Sequence, residues 1–135
     1  MKIAIIGLMS GTSLDGLDIA YCEFEQANAG SWNYKIICAE TIDYSADWKT
    51  RLANLDTASA LTFAQTDADL AYYFGAEVNK FILKNNLKPQ AIASHGQTIF
   101  HQPANGFTTQ IGNGAYIHAV TGIPVVSDFR TVDVG

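Results

Sequence analysis

Proline is scarce in this chain, with three residues in 135, cysteine is scarcer with two, and Lys and Arg together number only eight. Two cysteines cannot build a disulfide framework, and Cys22 and Cys38 lack zinc-ligand spacing, so a stapled mini-domain and a zinc module are both excluded. They fall on consecutive predicted strands of a hairpin turning near Gly30, where they are expected to face each other as free, buried thiols. The few basic residues are scattered and the net charge is −5, so there is no basic stripe for nucleic acid. No apolar run is long enough to cross a membrane. The short run after Met1-Lys2 breaks at Gly7 without a cleavage-site pattern, so neither a membrane partner nor a signal peptide is expected, and the location is expected to be cytoplasmic. Charged residues make up only 16% of the chain against 48% apolar, the balance of a well-buried core.

What is present concentrates at the front. Between two strand-like runs, Lys2 to Ile6 and Leu17 to Phe24, lies Gly7-Leu8-Met9-Ser10-Gly11-Thr12-Ser13-Leu14-Asp15-Gly16-Leu17-Asp18. Glycines at 7, 11 and 16 are expected to take positive φ and bring backbone N–H groups to an anion, with hydroxyls from Ser10, Thr12 and Ser13 as further donors. Neither G-x-G-x-x-G nor a Gly-Lys-Ser/Thr loop is present, and the frame of a hydrolase nucleophile elbow is missing. A strand-to-strand loop with Asp15 and Asp18 on its exit suits phosphates held by amides and Mg²⁺ reached by a carboxylate directly or through water. The alternative is an ordinary glycine-rich hairpin.

Further along, a third strand is expected from Tyr34 to Asp43, a short helix from Ala46 to Leu55, and a long helix from Leu61 to Asn85. Leu70, Phe74, Val78 and Phe81 mark the long helix's sheet-facing side. Ala91 to Ser94 reads as a buried strand reached by a crossover and therefore parallel to its neighbour. The loop Ser94-His95-Gly96-Gln97-Thr98 follows, then a small hairpin ending at Gly112, a helix from Asn113 to Val120, and a last strand from Ile123 to Ser127. The fold class is thus α/β: a mixed sheet that opens with three antiparallel strands and continues helix, strand, helix, strand. This order is similar to the ribonuclease-H-like unit shared by actin, sugar kinases and Hsp70-type ATPases.

With those segments placed, the chain resembles the anhydro-N-acetylmuramic acid kinases over its whole length. The carriers are residues 7–18, Ser94-His95-Gly96-Gln97-Thr98, and Ser127-Asp128-Phe129-Arg130. The resemblance implies an ATP- and Mg²⁺-dependent kinase that opens 1,6-anhydro-N-acetylmuramic acid with water and phosphorylates O6 to give N-acetylmuramic acid 6-phosphate. It implies ATP binding by Gly11, Thr12, Ser13, Leu14, Asp15, Gly16, Leu17 and Asp18, with Asp15 and Asp18 toward the metal. It places His95, Gln97, Asp128 and Arg130 at the sugar, with Arg130 suited to fork onto the lactyl carboxylate. His95 has the alternative of a satisfied structural histidine, Arg130 that of an ion pair with Asp128, and Asp18 that of an outward-facing strand residue.

The family is several hundred residues long, and 135 residues is short for an enzyme that holds a nucleotide and a second substrate. The expectation is therefore an incomplete N-terminal lobe, truncated just after its last strand and inactive alone, whose catalytic aspartate and second lobe lie beyond Gly135. An uncovered sheet face or edge would favour weak stability or association, including a homodimer. A catalytically silent actin-like binding or scaffold module, and an acetate- or hexose-kinase-like phosphotransferase, are the competing readings.

Overall fold

The computed structural model describes residues 1–129. Among them the elements run β1 (Lys2–Ser10), β2 (Gly16–Asn28), β3 (Ser31–Asp43), α1 (Ala46–Ala53), α2 (Ala60–Asn85), β4 (Ala91–Gln102), β5 (Phe107–Ile111), α3 (Gly114–Thr121) and β6 (Val125–Val126). The fold is mixed α/β around a six-stranded, mostly antiparallel sheet in the order β3-β2-β1-β4-β5, with β6 beside β4. β1–β2, β2–β3 and β4–β5 pair antiparallel, while β4 lies parallel to both β1 and β6. The parallel β1–β4 pair follows from the long crossover through α1 and α2, since a tight hairpin can join only antiparallel strands.

Burial alternates along the first two strands. Ala4, Ile6, Leu8 and Ser10 of β1, with Leu17, Ile19 and Tyr21 of β2, point to the helix-covered face. α2 meets that face with Leu70, Phe74, Val78 and Phe81, all at most 1% exposed, as the expected four-four-three spacing requires. Each such side chain contributes roughly 1.5–3 kcal/mol of burial, so the four together contribute roughly 6–12 kcal/mol. Ser45, Ser59 and Asn113 cap the N-termini of α1, α2 and α3 through their side chains, and Asn86 and Gly122 end α2 and α3 in the left-handed region.

Four expectations need correction. β1 runs to Ser10 rather than Ile6, so the glycine-rich stretch is half strand. β4 continues to Gln102, so His95 and Gln97 sit on a strand and not in a loop, and the expected hairpin ending at Gly112 is formed by the far half of β4 with β5. None of Gly7, Gly11 and Gly16 has positive φ. Cys22 and Cys38 do not face each other: a register shift pairs Tyr21 with Cys38 and Cys22 with Ile36, and alternation then turns the thiols to opposite faces. Both are free, and burial raises both thiol pKa values.

Candidate functional site

The segment between β1 and β2 is a short exposed turn. Leu14 N–H donates to the Gly11 carbonyl at 3.2 Å, and Tyr44 N–H donates to the Asp15 carbonyl at 3.0 Å, which ties the exit of the turn to the end of β3. Thr12, Ser13 and Asp15 are exposed. Among the described residues the amides of Thr12 and Ser13 have no backbone partner, so they are available to an anion. The left-handed residue here is Leu14, at φ +59°. A leucine tolerates this conformation because its half-buried side chain packs against the core and holds the turn down. Gly16 serves close approach instead, since a Cβ there would lie 2.4 Å from the Ile42 carbonyl oxygen on β3.

Directly beneath the turn lies a buried polar chain. Tyr44 Oη donates to Ser10 Oγ at 2.5 Å, Ser10 Oγ donates to Gln97 Oε1, and Gln97 Nε2 donates to the Thr98 carbonyl at 3.1 Å. Tyr44, Ser10 and Gln97 are 4%, 2% and 0% exposed. Burial pushes the Tyr44 phenol up to about 12, and the hydrogen bond with Ser10 partly opposes it. Gln97, expected at the sugar, is therefore spent on joining the end of β1 to β4. Tyr44 lies in the link between β3 and α1, where no periodicity singles it out, and the motifs gave it no role.

His95 stands one residue before a bend at Gly96, where φ is +73° and a Cβ would meet the Ile111 carbonyl oxygen at 2.5 Å. Its half-buried ring has Nδ1 3.3 Å from the Gly96 carbonyl and packs against Phe129 with centroids 5.9 Å apart. Two cavities meet at this histidine. One, about 630 Å³, lies on the sheet face opposite the helices, floored by the register row Ala39, Ala20, Gly7 and Ala93 and flanked by Met9 and Asp18. The other, about 380 Å³, is polar and lies between the β4–β5 hairpin and the start of α3, with Asp67, Ser94 and Asp128 in its wall.

The structure thus brings His95 and Asp128 to one cavity and His95 and Asp18 to the other. Thr12 and Leu14 border a third cavity of about 330 Å³ beside Thr98 and His101. Asp18 is exposed and accepts a 2.5 Å hydrogen bond from Thr41. Asp128 is exposed at φ +59°. Arg130 lies outside the described residues. Among the described residues no cluster of three or more His, Cys, Asp or Glu could hold a metal. Asp15 and Asp18, the two carboxylates expected at a metal, are both exposed.

No helix among the described residues is long and apolar enough to cross a membrane. The family model described as anhydro-N-acetylmuramic acid kinase matches residues 3–135. Proteins with that name from Pseudomonas fluorescens, Pseudomonas putida and Sulfurimonas denitrificans are 43%, 40% and 37% identical to the chain over 137, 138 and 136 residues. Each match covers 96% of this chain but 36% of the relative, so the chain spans about a third of the length of the curated relatives it matches.

Proposed function

Because the chain belongs to the anhydro-N-acetylmuramic acid kinase family, we propose that it is the N-terminal nucleotide- and sugar-binding lobe of an ATP-dependent kinase. In that reaction water opens the 1,6-anhydro bridge of anhydro-N-acetylmuramic acid at the anomeric carbon, and the freed O6 takes the γ-phosphoryl group to give N-acetylmuramic acid 6-phosphate. The lobe is read as a ribonuclease-H-like, actin-like ATPase unit working in the cytoplasm, able to associate as a homodimer. Residues 11–18 hold the phosphates through backbone amides and the Thr12 and Ser13 hydroxyls. Asp15 and Asp18 would hold Mg²⁺, whose charge offsets that of the phosphates. His95 and Asp128 face the sugar, with Arg130 toward its carboxylate, while Gln97 acts through position. The base that activates water is assigned, as in the family, to an aspartate on a later segment, so this lobe alone binds without turning over.

One observation supports this reading most: the Ser10–Gln97 hydrogen bond joins the phosphate turn at the end of β1 to the His95 segment of β4. Phosphoryl transfer depends on alignment, and two parallel neighbouring strands clamped at the same end supply it. The test is calorimetric titration of Mg²⁺–ATP into the 135-residue protein and its Gly11→Val variant, whose branched side chain, unlike the single methyl of alanine, is chosen to crowd the Thr12 and Ser13 amides, with circular dichroism to monitor folding. Saturable binding that the folded variant loses supports the phosphate role. Equal binding by both proteins removes it.

A further inference from the structure

The polar cavity between the β4–β5 hairpin and α3 contains a side chain that the motifs left unassigned. Ser94 is 1% exposed, lines this cavity, and its Oγ has no hydrogen-bond partner among the described residues. A buried hydroxyl without a partner is unfavourable for the free protein, and alanine would fill the same strand position beside Leu8 without that penalty. Such a group is retained at a cost that a ligand can offset. Asp67, on α2, faces the same cavity and is only half spent. Its Oδ1 accepts from Gly112 N–H at 2.7 Å and Asn113 N–H at 3.0 Å, while Oδ2 has no partner among the described residues. The Asn113 side chain is already committed to the Ala115 amide at 2.9 Å.

The remaining chemistry selects a ligand class. Among the described residues the wall has no Lys or Arg and presents the Asp67 carboxylate, so a phosphate or carboxylate entering beside Asp67 would meet like charge. A carboxylate oxygen that only accepts and a hydroxyl that both donates and accepts suit neutral hydroxyl and amide groups. A volume of about 380 Å³ accommodates a single ring. We infer that this cavity is the subsite for the neutral, hydroxyl- and amide-bearing face of the sugar ring, with Ser94 Oγ and Asp67 Oδ2 as its specificity contacts. The inference rests on the sugar-kinase reading above and deepens it.

The experiment is an amide NMR titration of the 135-residue protein and its Ser94→Ala and Asp67→Asn variants, together with their melting temperatures. The probes are 1,6-anhydro-N-acetylmuramic acid, 1,6-anhydroglucose and inorganic phosphate. Expected are sugar-induced shifts at Gly96, Gly112 and Gly114, none with phosphate, and affinity roughly tenfold weaker in each variant. Ser94→Ala is expected to melt at the same temperature as wild type or higher, which a merely structural serine would not do. A lower melting temperature with unchanged affinity, sugar shifts confined to other residues, phosphate shifting the same amides, or no sugar binding would each overturn the subsite. Muramic sugar bound equally by all three proteins would leave the kinase reading standing without this subsite. Binding of anhydroglucose that Ser94→Ala loses, with the muramic sugar refused, would keep the subsite and remove the substrate assigned to it.

Discussion

Replacing Tyr44 with phenylalanine removes one oxygen from the buried chain Tyr44–Ser10–Gln97 while leaving the ring packed against Tyr73. Ser10 keeps its bond to Gln97, so at neutral pH the loss is that of one neutral buried hydrogen bond, about 1 kcal/mol. In a domain of this size that lowers the melting temperature by roughly 3–5 °C. Alkaline pH reverses the order. The phenol's folded pKa, about 12, lies above its ordinary value of 10.0, so its contribution is complete below pH 10 and is lost as pH rises through 12. Two units correspond to about 2.7 kcal/mol, of which wild type has lost about half at pH 11. The stability gap should therefore close near pH 11 and favour Tyr44→Phe above it. Urea unfolding of both proteins from pH 8 to 12 reads this directly. Curves that stay parallel across the range would show that Tyr44 is not a buried, neutral donor to Ser10.

Gly16→Ala and Gly7→Ala should separate sharply. The first puts a Cβ 2.4 Å from the Ile42 carbonyl and must shift the β2–β3 register, costing on the order of 2 kcal/mol or more, whereas the second meets nothing within 4 Å and should leave the melting temperature within a few degrees. At acid pH the Asp69 carboxyl, held below its usual range first by the 2.5 Å hydrogen bond from Arg51 and then by Gln65, contributes stability above pH 4 that disappears as pH falls through its folded pKa. Both partners are about one-third exposed, so Arg51→Gln should flatten the acid limb of a stability–pH curve by only about 0.2–1 kcal/mol; an unchanged limb would show that the pair is fully screened.

Local patterns reveal the elements that face one core and conceal those whose partners are distant. The α2 stripe was legible because Leu70, Phe74, Val78 and Phe81 all meet the same sheet. The far half of β4, beyond Ser94, was not, because Gln97 and Thr98 are polar residues whose backbone is satisfied by pairing with β1 or β5 and whose side chains join a buried chain or bond across to Gln110. They therefore lack the apolar alternation that marks a strand. The same cause hid the last residues of β1: Ser10 reads as loop until its partners Leu17, Gln97 and Tyr44 are known. The turn between β1 and β2 was legible from composition, but which residue shapes it was not, since a left-handed leucine is intelligible only from the core beneath it.

That leucine offers the sharpest test of how the turn is held. If glycines shape it, Leu14→Gly should improve matters, because the left-handed conformation costs a leucine roughly 1–2 kcal/mol that glycine avoids. If the side-chain anchor shapes it, relief of that strain is offset by lost burial of a half-buried leucine, about 1–1.5 kcal/mol, and global stability changes little. The turn itself then loses the Leu14 anchor, samples other geometries and, under the proposed phosphate role, binds phosphate less well in proportion to the fraction still competent. Gly11→Ala is the control: its φ is not left-handed, and the added Cβ meets only Ser13 Oγ at an ordinary 3.8 Å, so fold and turn should both persist. Melting curves and Mg²⁺–ATP titration of the two variants are expected to show weakened binding at near-native stability for Leu14→Gly and retention of both in Gly11→Ala. The opposite pattern, with binding intact in Leu14→Gly and lost in Gly11→Ala, would return the grip to the glycines.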